Sequence, residues 1–215
     1  MKLLGIESSR IIYLMQALRP LGQVYIPDTI AKVKERYSFV KVPNPDQALP
    51  LSFSIGKFRD AQIAEFSIYN DGFIVSSSSN TNLLDAFIDD LLAWAAKELS
   101  IEPLAGTPTE KFYESSILVK AENDLTGSVV SSLDVDRVVA PAMGAANIRA
   151  PLKLSGMIFD FDNKDFLGKR KPFRLVIDRR INVPFSENIF YSQAPFRTDD
   201  HLDVLTQFER AALIK

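Results

Sequence analysis

LSFSIGKFRDAQIAEFSIYNDGFIVSSSSNTNLLDAFIDDLLAWAAKEL, residues 51–99, changes its hydrophobic period once along its length. At first apolar residues alternate with polar ones: Leu51, Phe53 and Ile55 with Ser52 and Ser54, then Ala64, Phe66 and Ile68 with Glu65 and Ser67. A period of two puts one set of side chains on one face of a strand, so both runs predict strands with a single buried face. Asn70, Asp71 and Gly72 separate the second run from Phe73–Val75, and Asp and Gly supply the positive φ that a tight hairpin turn demands. Beyond the polar run Ser76–Asn82 the spacing widens, and Leu84, Phe87, Ile88, Leu91 and Ala95 fall on one helical face. Asn80 or Thr81 is placed to accept the first free amides, and the helix ends near Leu99.

The same order recurs toward the C-terminus. Met157–Phe161, Phe173–Ile177 and Ile189–Tyr191 read as strands, and Thr198 opens a helix carrying Leu202, Leu205, Phe208 and Leu213. Thr81 followed by Leu84 and Asp85 matches Thr198 followed by Leu202 and Asp203 after a one-residue gap. The fold expected is therefore α+β: antiparallel β-hairpins or meanders with amphipathic helices packed on one face, arranged as two βββα-like halves.

Between these blocks the reading is less uniform. RIIYLMQAL, residues 10–18, fits a buried strand and a buried helix equally. Pro27 and Asp28 open a surface helix with Ile30, Val33 and Tyr37 on one side, and KVPNPDQALP, residues 41–50, is a proline-rich connection. A strand follows at Phe112–Lys120, then weak helical spacing at Val130, Leu133 and Val138, then APAMGAANIRAP, residues 140–151, as a connector. Residues 1–215 are expected to form a single domain, with 1–108 and 109–215 as the alternative division into lobes.

Composition narrows function mainly by exclusion. Hydrophobic residues make up 47% and charged ones 24% of 215 residues, enough for a packed core. A formal charge of −2 argues against a surface that is basic throughout. With no cysteine, disulfides, thiolate metal sites and thiol nucleophiles are excluded, and a cytoplasmic location is expected. MKLLGIESSR lacks the apolar core of a signal peptide, and no stretch reaches the ~18 uninterrupted apolar residues of a membrane span, so membrane insertion is not expected.

Catalytic patterns are sparse. His201 follows Asp199 and Asp200 at a helix start, a position in which acids favour the helix dipole, and without a GxSxG elbow a surface or helix-start role is expected for it rather than a catalytic one. Ser54-Ile55-Gly56-Lys57 has SxxK spacing, yet on a strand Ser54 and Lys57 point to opposite faces unless the pleat is broken at Gly56. Asp160 and Asp162 would share one face of a strand, and with Asp178 they form a candidate Mg²⁺ site. Pairing with Lys171, Arg174 or Arg179 is the competing reading. Asp85 and Asp89 read as a solvated helix face.

The strongest local signal is electrostatic. Lys164, Lys169, Arg170, Lys171, Arg174, Arg179 and Arg180 lie within seventeen residues that contain only Asp165 and Asp178 as acids. A basic hairpin on an acidic protein suits docking onto an acidic protein partner, and secondarily a phosphate backbone. The leading expectation is a non-enzymatic interaction or assembly subunit without a cofactor. The alternatives are a Mg²⁺-dependent enzyme acting on a phosphate-containing substrate and a nucleic-acid-binding module.

Overall fold

The computed structural model describes residues 1–15, 17–18, 26–103, 106–126, 135–146, 153–166 and 170–211. Its elements in chain order are β1 (Lys2–Leu14), β2 (Ala17–Leu18), α1 (Ile26–Tyr37), β3 (Leu51–Phe58), β4 (Ala61–Tyr69), β5 (Gly72–Ser77), α2 (Thr81–Leu99), β6 (Glu102–Pro103), β7 (Glu110–Lys120), α3 (Val135–Ala145), β8 (Gly156–Phe159), β9 (Leu175–Arg179), β10 (Ile189–Ala194) and α4 (Thr198–Ala211). Eight strands form one antiparallel sheet in the order β3-β4-β5-β1-β7-β10-β9-β8, and β2 pairs with β6. The fold is α+β. With the two-residue strands β2 and β6 set aside, the described elements run strand, helix, three strands, helix twice, as β1-α1-β3-β4-β5-α2 and as β7-α3-β8-β9-β10-α4. The chain packs as two compact units, one of Ile6–Ser116 with Pro195–Thr198, the other of Met1–Gly5, Ile117–Ala194 and Asp199–Lys215.

In the first unit the alternation read from residues 51–77 becomes a continuous row across the sheet. Phe53 lies opposite Phe66, Phe66 opposite Val75, and Val75 opposite Ile11. All four are essentially inaccessible. Helix α2 lays Leu84, Phe87, Ile88, Leu91 and Ala95 on this row, the face its spacing predicts. The Asn80 side chain caps it by accepting from the Leu83 amide at 3.0 Å. Thr81 is engaged differently: its amide donates to Thr198 Oγ1 at 3.1 Å while the Thr198 amide donates to Thr81 Oγ1 at 2.9 Å. The two threonines matched in the sequence thus satisfy each other's buried helix-start amides. Helix α1 contributes Ile30, Val33 and Tyr37, and the Tyr37 hydroxyl donates to Asp90 at 2.8 Å.

Residues 10–18, undecided from sequence, contain the end of strand β1, whose residues Ser9–Leu14 pair with Gly72–Ser77. Asn70 and Asp71 form the two-residue turn expected between β4 and β5, but neither has the positive φ expected of Asp71, which Gly72 alone supplies. Gly72 has φ +148°, and a Cβ there would lie 2.0 Å from the Tyr13 carbonyl oxygen, so no larger residue fits.

The pleat of β3 breaks at Ile55, which has φ +59°. The break is used: the Ile55 carbonyl accepts from the Val40 amide at 3.1 Å, and a Cβ on Gly56 would fall 2.4 Å from the Phe39 ring, which occupies that space. Lys57 is exposed, and among the described residues no hydrogen bond joins it to Ser54, so the SxxK spacing does not form a dyad. A β-branched residue in the left-handed region is strained by about 1–2 kcal/mol, and Ile55 is 41% exposed, so little burial is lost on replacing it. Ile55→Asn is expected to raise unfolding stability by about 1 kcal/mol, because asparagine tolerates this conformation. An unchanged or lowered denaturant midpoint would show that the strain is absent.

In the second unit Ile117, Val119, Ile177, Phe190, Ala194 and Leu205 are buried. Residues 140–145, expected as connector, belong to helix α3, which runs through Pro141. Proline and glycine had marked this stretch as a break, but Ala140, Ala142 and Ala145 are strong helix formers and outweigh them. Val130, Leu133 and Leu213 lie outside the described residues. No described helix is long and apolar enough to cross a membrane.

Candidate docking surface

The loop after β8, strand β9 and the residue that follows it carry the basic stretch, and the structure divides its members into distinct groups. Arg179 belongs to the interior. Its side chain is 6% exposed and pairs with Asp124. It also donates to the Phe185 carbonyl at 2.8 Å and to Thr126 Oγ1 at 3.2 Å. The guanidinium lies over the rings of Phe185 and Phe190 at 4.4 and 4.8 Å. A residue so placed holds the turn at Asp124–Thr126 against the strand and is not presented to a partner, which corrects its assignment to the docking set.

Lys171 and Lys164 are neutralised locally. Lys171 bridges Asp160 at 2.9 Å and bonds Asn163 Oδ1 at 2.8 Å, and Lys164 bridges Asp162 at 3.0 Å. The Lys171 bond holds the Asp160 carboxyl below its usual pKa, and the Lys164 amide does the same for Asp162. Lys169 lies outside the described residues. Arg170, Arg174 and Arg180 are exposed, with Arg174 and Arg180 immediately before and after β9.

The acidic trio is not assembled as the sequence spacing suggests. Strand β8 ends at Phe159, so Asp160 and Asp162 fall in the following loop and the two-residue repeat no longer aligns them. Asp162 accepts the Lys164 amide at 3.0 Å, starting the short helical turn Asn163–Phe166. Asp178, opposite Gly156, lies across the place where a Cβ would be. Among the described residues no group of three His, Asp or Glu side chains converges to hold a metal ion.

His201 is buried, not on the surface. Its Nε2 lies 2.8 Å from Ser192 Oγ, and that hydroxyl donates to the Val176 carbonyl at 2.7 Å. The serine's single proton is thereby committed, so the imidazole donates its Nε2–H. Both side chains are fully buried, which makes the pair a link between α4 and the sheet and leaves no access for a substrate. Desolvation pushes the imidazole pKa down to about 4.

Asp85, read as part of a solvated face, is instead a half-buried hub. It bridges Lys111 at 2.7 Å and Arg197 at 3.4 Å and accepts from the Tyr113 hydroxyl at 3.1 Å. Asp89 is exposed, as expected.

The same region of the chain also exposes apolar residues, which the sequence reading did not foresee. Ile158 is 57%, Phe159 43%, Phe161 40% and Ile181 82% exposed. Their signal in the sequence is the uncharged run Gly156-Met157-Ile158-Phe159, which looks like any core strand. Exposed apolar side chains bordered by arginine are the composition of a protein-docking surface. Compared with known proteins, the chain matches no family model and no curated protein.

Proposed function

We propose that this chain is a non-enzymatic docking or assembly subunit of the cytoplasm that engages an acidic protein surface through the β8–β9 region. The supporting observation is that the β8–β9 region exposes Arg170, Arg174 and Arg180 together with the apolar Ile158, Phe161 and Ile181. Arginine and apolar residues together supply orientation and affinity at protein interfaces.

The test compares the intact protein with an Arg170→Glu, Arg174→Glu, Arg180→Glu variant in affinity purification from the native cell, with binding kinetics on the acidic partner recovered. Charge reversal is expected to slow association roughly tenfold or more and to remove most of its salt dependence. Tight, salt-sensitive retention of mixed-sequence DNA or RNA by the unmodified protein would replace this reading with a nucleic-acid one.

A further inference from the structure

Strand β8 closes the sheet order at one end, and no described strand lies beyond it. The terminal strand β3 is engaged: the Val40 and Lys41 amides donate to the Ile55 and Ser54 carbonyls at 3.1 Å, and the Ser54 amide returns a bond to the Lys41 carbonyl at 3.0 Å. Natural edge strands are commonly defended by lysine, proline, a bulge or shortness. Gly156-Met157-Ile158-Phe159 has only its shortness, and it carries the exposed Ile158.

The register decides which backbone groups β8 turns outward. Gly156 lies opposite Asp178 and Phe159 opposite Leu175, and the Arg179 amide donates to the Ser155 carbonyl at 2.7 Å. Hydrogen-bonded and non-bonded pairs alternate along an antiparallel ladder. Met157 and Phe159 therefore bond inward to β9, while Gly156 and Ile158 direct their amides and carbonyls away from it. Side chains alternate as well. Phe159 packs on Phe208 of α4 at 5.4 Å between ring centroids, which puts Met157 on the helix side of the strand and Ile158 on the other.

The charges flanking this edge have a direction. Lys153 precedes the strand and is exposed, with its ammonium over the Phe185 ring at 5.3 Å. Asp160 and Asp162 follow the strand, both exposed and paired at the surface with Lys171 and Lys164. Surface pairs of this kind are weak, and a carboxylate accepts from two cations at once. A strand complementary to the edge has a carboxylate beside Lys153 and a cation beside Asp160 and Asp162. An all-acidic or all-basic segment meets half of that requirement. A second β8 turned antiparallel meets all of it, since its aspartates arrive beside Lys153 and its lysine beside the aspartates. Parallel addition of the same strand would set acid against acid.

We infer that β8 pairs antiparallel with β8 of a second copy of this chain, across a two-fold axis at Met157. Gly156 of each copy lies opposite Ile158 of the other, so their outward amides and carbonyls form four main-chain hydrogen bonds, all within the strand. The two Met157 side chains meet on the helix side. On the other side the two Ile158 side chains become diagonal neighbours roughly 7–8 Å apart, each covered along its edge by the added backbone. An axis at Ile158 would instead set Gly156, with the Asp178 carboxyl lying over it, opposite Asp160 of the other copy, and like charges oppose that register. The contact is isologous, every interaction being made twice. The pairing goes beyond the docking reading above and does not depend on it.

The test is sedimentation equilibrium of the intact protein, titrated up to about 1 mM because so short an interface belongs to the weak class. Monomer is expected to pass to dimer, with amide exchange at Gly156 and Ile158 slowing as the dimer fills. Ile158→Lys places a lysine on the edge and is expected to weaken dimerisation tenfold or more, with the unfolding midpoint near that of the unmodified protein. Should that variant disturb the fold, charge decides the matter. Lys153→Glu in one protein, and Asp160→Lys with Asp162→Lys in another, are each expected to weaken self-association at least tenfold, while an equimolar mixture of the two restores the dimer, because every cation then faces an acid. A mixture as weakly associated as its components overturns antiparallel self-pairing. So does a protein that stays monomeric throughout the titration, and so does a dimer indifferent to Ile158→Lys. A monomer that still engages the acidic partner of the docking test defeats the pairing alone, and a dimer that recovers no such partner defeats the docking reading alone.

Discussion

Phe87→Ala is expected to lower unfolding stability by about 3–5 kcal/mol, the range for removing a fully enclosed aromatic ring. The Phe87 ring sits 4.7 Å from Tyr37, 5.5 Å from Phe58 and 5.6 Å from Phe66, measured between centroids, so it touches α1 and the sheet at once. Its accessibility is 0%. The surrounding aromatics are held by strand pairing and by the Tyr37–Asp90 bond, which limits how far they can collapse into the space left behind. Val138, 70% exposed on α3, provides the control, and Val138→Ala is expected to change stability by less than about 0.5 kcal/mol. Denaturant unfolding of the two variants in parallel checks both numbers. A loss below about 1 kcal/mol for Phe87→Ala would mean that α2 does not pack on this sheet.

Strands β3, β4 and β5 and helix α2 were legible in the sequence because each declares its buried face within its own residues, and the Asn70-Asp71-Gly72 turn fixes the register between two of them. Residues 10–18 were ambiguous for the opposite reason. Ile11, Ile12 and Tyr13 are all buried, so the chain shows an apolar run with no alternation to read. The candidate site suffered from the same locality. Arg179 reads as one more charge in a basic stretch, yet its partner Asp124 is 55 residues away, and nothing near Arg179 announces that it is interior. Asp85 is similar: Lys111, Tyr113 and Arg197 reach it from distant positions. Ile158 erred the other way, since its strand has a core-like composition and only the sheet order reveals that β8 is an edge. Periodicity reports which side of an element is apolar. It does not report which elements end up with a neighbour.

His201 has the second large expected effect, a loss of stability in mild acid that a single substitution should abolish. Buried against Ser192, the imidazole titrates at about 4 in the folded protein, well below the ordinary value of 6.5 expected once the chain unfolds. Above pH 6.5 the ring is neutral in both states and its contribution is fully present. Between pH 6.5 and 4 the unfolded chain takes up a proton that the native state refuses, so the equilibrium moves toward unfolding as the pH falls. One pKa unit corresponds to about 1.4 kcal/mol, and the native state therefore loses up to about 3 kcal/mol by pH 4. His201 is the sole histidine, so titration of an imidazole in this window has one source. Carboxylates titrate mostly below pH 5, which makes pH 5–6.5 the diagnostic interval. His201→Gln keeps a side-chain N–H toward Ser192 Oγ and removes the titration. The expected result is a stability that slopes downward from pH 6.5 to 5 in the unmodified protein and stays level in the variant, measured by urea unfolding at closely spaced pH values. Parallel slopes in the two proteins would place the imidazole in water and break the link between α4 and the sheet.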